Sequence, residues 1–156
     1  MLKIDEKILN HDRNAELLQV VHYDPNQKYD AHHDWGVEGG GPSRYITLLL
    51  YLNNPDLGGE TAFPKVKDED GNILALHPGK GSAILFYNLL PDGNADDNTL
   101  HAALPVAHGE KWLANFWCVP GCSAPSMCDH LMHAHCPAHP VPALPLFRIW
   151  DPVMKF

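Results

Sequence analysis

Basic charge is scarce in this chain. Eleven lysines and arginines stand against 19 aspartates and glutamates, for a net charge of -8. No block of Lys and Arg offsets the deficit, which disfavours nucleic acid as a partner, because nucleic-acid binders neutralise phosphates with clustered cations. Long apolar runs are missing too. No stretch approaches the ~20 apolar residues of a bilayer span, so no membrane segment is expected. The opening MLKIDEKILNHDRNAELL is charged throughout, unlike a signal peptide. Helical periodicity is nearly absent after residue 16. There is no H-E-x-x-H, the helical signature that often accompanies zinc held by two histidines and a carboxylate. Cysteine occurs only at 118, 122, 128 and 136. These four could form disulfides or stay as thiols, and their spacing fits no zinc finger.

What remains is a globular composition, 45% hydrophobic over 156 residues, enough for one domain with a core. Residues 1–16 read as a short amphipathic helix or lead-in. Strands are expected at 17–23, 29–35, 44–52, from Thr61, at 73–78 and at 82–88. TLHAALPVA and EKWLANFWCV, separated by an HGE turn, read as a closing hairpin. The loops between them are built from Gly, Pro, Asn and Asp, among them GVEGGGPS and LLPDGNADDN. Short strands divided by such turns specify an all-β sandwich or barrel. Asp92, Asp96 and Asp97 read as a solvated loop, and His77 as structural or exposed. Residues 120–156, rich in Cys, His and Pro, show no period and read as an irregular tail of unknown role. Its final FRIWDPVMKF has the apolar content to fold back on an open barrel face.

The chemistry concentrates in KYDAHHDWG, residues 28–36. In a strand, residues two apart share a face, so His32 and Asp34 point together and His33 points away. Two ligands need a third from elsewhere, and His101 on the closing hairpin is the candidate. Two histidines and one carboxylate form a facial triad that leaves positions open on non-haem Fe(II) for O2 and a chelating cosubstrate. Zinc fits the same donors, and on the tripeptide alone a surface pair in a turn is the plainer reading. Lys111 bears on the balance, although judged alone it reads as an exposed charge of the hairpin. An ammonium inside a barrel lined by Leu, Trp and Phe is costly unless a partner such as a dicarboxylate pairs it.

In order, Tyr23, Gln27-Lys28-Tyr29, His32-x-Asp34, Arg44, GGETAFP (58–64), GKGSAILF (79–86), PDG (91–93), LHAALPV (100–106), GEKW (109–112) and Trp117 resemble the prolyl 4-hydroxylase alpha-subunit catalytic domain. That domain belongs to the 2-oxoglutarate- and Fe(II)-dependent dioxygenases, and the resemblance covers roughly residues 17–119. It implies a double-stranded β-helix, a jelly-roll barrel. It implies that His32, Asp34 and His101 ligate iron, and that Lys111, Tyr23 and Thr61 hold the distal carboxylate of 2-oxoglutarate. Arg44 and Trp117 would lie toward a proline-containing peptide. The reaction implied is hydroxylation of a peptidyl proline with O2, decarboxylation of 2-oxoglutarate to succinate and CO2, and ascorbate in support. The family compartment would be the endoplasmic reticulum, for which this sequence carries no signal or anchor. Three departures go with this: a lead-in of only 16 residues, shorter than the family's; Trp117-Cys118-Val119 where the family often has Trp-x-His; and the unmatched tail. The competing expectation is an inactive or truncated barrel fragment that binds metal without hydroxylating a peptide.

Overall fold

The structure, a computed structural model, describes residues 14–36, 43–77 and 79–119 and the backbone of 147–150. In chain order the strands are β1 (Gln19–Tyr23), β2 (Tyr29–His32), β3 (Ile46–Tyr51), β4 (Leu57–Gly58), β5 (Thr61–Lys67) and β6 (Ile73–Leu76). They continue with β7 (Ala83–Tyr87), β8 (His101–Ala103), β9 (Val106–His108), β10 (Lys111–Cys118) and β11 (Phe147–Trp150). A single 3-10 turn, Asp97–Thr99, is the only helical element among the described residues. A five-stranded sheet runs β1-β10-β3-β7-β11, a four-stranded sheet β2-β8-β5-β6, and β4 pairs with β9. Every pairing is antiparallel.

The core follows from strand alternation. Thr47, Leu49 and Tyr51 of β3 are buried in turn, as are Ile84 and Phe86 of β7. Phe63 of the four-stranded sheet and Leu113 of β10 join Leu49, Tyr51, Ile84 and Phe86 in one cluster, which ties the two sheets together. Each such apolar side chain contributes roughly 1.5–3 kcal/mol on burial. This is the jelly-roll barrel expected from the sequence. No helix among the described residues is long and apolar enough to cross a membrane.

Several local expectations are corrected. The closing hairpin does not form. β8 pairs with β2 and β5, β9 with β4, and β10 with β1 and β3. Pro105 has no N–H to continue a ladder, and the chain crosses to the other sheet after Gly109, whose φ is +77°. Predicted strand 29–35 stops at His32, with a bulge between Tyr29 and His32. Leu57–Gly58, inside an expected turn, is a short strand. Asp96 is buried rather than solvated, because its carboxylate caps the 3-10 turn at the Asn98 N–H. The tail contributes β11, which pairs with β7 at the sheet edge. The N-terminal helix and the remaining tail lie outside the described residues.

Gly58 holds β4 in place with φ +78°. A Cβ there would stand 2.5 Å from the Pro105 carbonyl oxygen and 2.8 Å from the Ala107 nitrogen, both backbone atoms. Gly58→Ala is therefore expected to cost at least about 1–3 kcal/mol, seen as a fall in the thermal midpoint by circular dichroism.

Candidate active site

β2 and β8 place His32 directly across from His101 in register. Tyr29 pairs with Ala103, so three steps on β2 match two on β8, and the bulge supplies the extra residue. It lets Tyr29 and His32, which strict alternation would put on opposite faces, meet edge to face at 4.4 Å and line the same cavity. After His32 the chain leaves the ladder and bends at Asp34–Trp35. Asp34 thus arrives by a bend and not by alternation. His32 Nε2 lies 3.5 Å from Asp34 Oδ1, and His101 Nε2 lies 3.7 Å from Asp34 Oδ2. One donor atom from each of the three residues falls within 4.8 Å of the others. His33 stands apart from the trio but does not turn away from the cavity. It lies on the wall, with Nε2 3.6 Å from Asp97.

The histidines are set for metal. His32 Nδ1 contacts the Asp30 carbonyl and His101 Nδ1 the Thr99 carbonyl, each at 2.9 Å. A carbonyl only accepts, so each Nδ1 carries the proton and each neutral ring offers its Nε2 lone pair to the centre. Asp34 Oδ2 accepts from the Thr47 hydroxyl at 2.7 Å and the Trp117 indole N–H at 2.9 Å. Burial raises the Asp34 carboxyl, but His32, His101, Trp117 and Thr47 together hold it well below the usual carboxylate range. Burial lowers His101. Burial also opposes protonation of His32, yet the Asp34 carboxylate beside it and the Asp30 carbonyl leave that ring raised overall.

Lys111 lines the same cavity, which has a volume of about 580 Å³. The β1–β10 register puts it across from Tyr23. Its side chain is 0% exposed, and its ammonium has no hydrogen-bond partner among the described residues. The rings of Tyr23 and Tyr51 approach it at 5.5 and 5.6 Å. Burial pulls the lysine down to about 8, partly offset by the Glu60 carboxylate. Thr61 lines the cavity there, its hydroxyl bonded at 2.6 Å to that of Tyr51, which burial pushes up to about 12.

Arg44 and Trp117 also line the cavity. The Arg44 guanidinium lies 3.7 Å from the Trp117 ring centroid and is held by Glu16 through bonds of 2.6 and 2.9 Å. Trp117 spends its indole N–H on Asp34, so its contact here is with the triad. Sequence reasoning passed over Tyr51, Thr47, Asn88 and Glu16. The available signal was a polar residue at inward positions of ITLLLY, namely Thr47 and the Tyr51 hydroxyl.

The donor set fits a metal: two imidazoles whose Nδ1 bonds leave Nε2 facing the centre, and an ionised carboxylate. The buried Lys111 ammonium, without a hydrogen-bond partner among the described residues, fits an acidic cosubstrate. Jelly roll and site together define a β-barrel protein with a two-histidine, one-carboxylate centre. Residues 18–119 match the 2OG-Fe(II) oxygenase superfamily, and the chain belongs to that family, whose cofactors are Fe(II) and 2-oxoglutarate. It is similar to probable prolyl 4-hydroxylase 6 of Arabidopsis thaliana, with 41% identity over 123 residues, 68% of this chain and 42% of the relative. Prolyl 4-hydroxylase 2 of the same plant is 40% identical over 124 residues, 67% of this chain and 41% of the relative. The 2OG complex of the viral collagen prolyl hydroxylase from Paramecium bursaria Chlorella virus-1 superposes with a TM-score of 0.57 at 37% identity, over 68% of this chain and 59% of that one. The chain thus spans about two fifths of the length of these plant relatives.

Proposed function

We propose that this chain is a 2-oxoglutarate- and Fe(II)-dependent dioxygenase that hydroxylates proline in a peptide, with the catalytic domain at 17–119. The observation that carries it is one cavity lined both by the triad and by a buried ammonium with no hydrogen-bond partner among the described residues. His32, Asp34 and His101 would hold the iron. Lys111 would pair with the distal carboxylate of 2-oxoglutarate, beside Tyr23 and the Thr61–Tyr51 hydroxyl pair. Bound iron with 2-oxoglutarate supplies O2 activation coupled to oxidative decarboxylation.

The chain's own groups do the rest. The two Nδ1 bonds fix the tautomer of both imidazoles and aim each Nε2 at the centre. Lys111 is fully buried beneath the rings of Tyr23 and Tyr51, and that shielding from water would strengthen its pairing with an anion. Arg44, stacked on Trp117 and held by Glu16, has Nη1 4.0 Å from Asp34 Oδ1 and would meet a peptide carbonyl at the cavity wall beside the triad. Peptidyl proline as substrate is supported by the similarity to prolyl hydroxylases of plants and of a virus.

The test is 2-oxoglutarate turnover with Fe(II) and ascorbate, with and without a proline-rich peptide, read as succinate and as one added oxygen per peptide by mass spectrometry. Succinate that rises with peptide, matched by hydroxyproline, is expected. Succinate production that ignores the peptide would remove proline from the reading. No succinate at all would remove the enzyme.

A further inference from the structure

We infer that the acidic loop from Asn88 to Leu100 is a two-armed brace that fixes Asp34 and His101, with Asp96 joining the arms. The inference rests on the proposed metal centre and concerns what holds its ligands.

The loop first closes on itself. Leu89 bridges Ala95, and the Leu90 N–H bonds the Asn94 carbonyl at 2.7 Å. That small closure brings the Asp96 N–H to the Asn88 carbonyl at 2.9 Å. One arm leaves from Asn88. Its Nδ2 donates to the Thr47 hydroxyl at 2.8 Å, and that hydroxyl donates to Asp34 Oδ2 at 2.7 Å. Asn88 and Thr47 are 0% exposed and Asp34 is 3% exposed, so no water competes for these bonds. The order of donors matters. Asn88 occupies a lone pair of Thr47 and leaves the hydroxyl proton for Asp34. The reverse amide orientation would take that proton and set oxygen against carboxylate. With Oδ2 already accepting from Thr47 and Trp117, Oδ1 is the Asp34 oxygen left for a metal.

The second arm leaves from Asp96. Its carbonyl accepts from the Thr99 N–H at 3.1 Å and the Thr99 hydroxyl at 2.7 Å. The Thr99 carbonyl then accepts from His101 Nδ1 at 2.9 Å, which fixes the tautomer of that ring. Thr99 is 1% exposed and Asp96 3%. Asp34 and His101 are 67 positions apart in sequence, from residue 34 to residue 101. The loop gives them a common mount. Thr47, Asn88, Asp96 and Thr99 are positioning residues: none belongs to the trio, and each acts through Asp34 or His101.

The test uses the full chain freed of metal and titrated with Co(II), with Asp34→Ala as the reference for a broken centre. Thr47→Val and Thr99→Val keep the side-chain shape and delete the hydroxyl that links each arm. Circular dichroism sets a temperature at which every variant is folded, so that unfolding cannot mimic weak binding. Thr47→Val, which removes a direct partner of Asp34, is expected to weaken Co(II) binding by about 10- to 100-fold, the scale of a lost outer partner. Thr99→Val, which leaves the carbonyl on His101 but loosens its anchor on Asp96, is expected to weaken it by a smaller measurable factor. Thr47→Ser and Thr99→Ser, which restore a hydroxyl, should recover most of it. A folded Thr47→Val or Thr99→Val that binds Co(II) like the unmutated chain overturns the brace. So does a serine variant no better than its valine counterpart. If the unmutated chain binds no tighter than Asp34→Ala, the metal centre itself fails, and that result is separate from a failure of the brace alone.

Discussion

Lys111→Met should make the protein more stable and nearly blind to 2-oxoglutarate. Both effects come from one fact: a fully buried ammonium with no hydrogen-bond partner among the described residues. Folded, Lys111 titrates at about 8, against 10.5 ordinarily. Between those values the unfolded chain binds the extra proton, so stability rises as pH climbs through the window from about 8 to 10.5 and is lowest below it. Methionine removes the charge and keeps the apolar stem. Replacing buried charge with apolar volume stabilises by roughly 1–4 kcal/mol in known cases, which would appear as a higher melting midpoint near neutral pH. Binding moves the opposite way. A charge-assisted bond is worth about 1.5–3 kcal/mol, roughly 10- to 150-fold in affinity. Isothermal titration with 2-oxoglutarate reads the second effect. For the unmutated chain, affinity should hold below about pH 8 and fall above it, as the ammonium loses its proton. A variant that melts lower, or that keeps its 2-oxoglutarate affinity, would take Lys111 out of this role.

His32→Ala is expected to abolish turnover and to weaken Co(II) binding well beyond the ~10–100-fold of a lost outer partner. Of the trio, His32 suits this test best. Its side chain is 33% exposed, whereas that of His101 is 7% exposed and its ring packs 5.1 Å from Phe86. Truncating His101 would open a hole in the core, while truncating His32 removes a ligand and little packing. Melting curves should therefore stay close to the unmutated chain when both are free of metal. Acid should mimic the substitution. The His32 ring is raised above 6.5 despite burial, mainly by Asp34, so protons displace a metal from it at higher pH than from an ordinary imidazole. Metal binding unchanged in His32→Ala would dissolve the triad.

The barrel, the triad and Lys111 were legible in the sequence for different reasons. Strand alternation exposed the core, since Leu49, Ile84 and Phe86 sit on inward positions whichever strand they pair with. Lys111 was legible chiefly through the resemblance that GEKW helps to carry: judged alone it reads as readily as an exposed hairpin charge, and only if buried does a cation among Leu, Trp and Phe need an anion to meet it. His32 and Asp34 were brought together as expected, but by a bulge and a bend that alternation does not encode. Pairing was the blind spot. Alternation says which face a residue takes and nothing about its neighbour strand, so β8 to β10 read as a hairpin although each pairs elsewhere. Contacts that depend on pairing were lost with it. The Trp117 bond to Asp34 needs β10 beside β3, and Thr47 meets Asn88 only because β7 flanks β3 on its other side. Asp96 looked like any loop acid, because its burial comes from a loop that folds onto itself.

The cross-strand placement of His32 and His101 bears on how the chain reaches its native state. These two donors are directly opposed on β2 and β8, strands 69 positions apart, from 32 to 101, and β2 is a sheet edge with a bulge. Edges with irregular ladders are where register slips, and a slip of one residue would turn His32 out of the cavity. A metal bridging the pair tolerates no such slip. Binding would then act as a proofreader of assembly: it rewards only the chain in which these two strands, far apart in sequence, have met in the correct alignment, and it lengthens the lifetime of that state over every misaligned one.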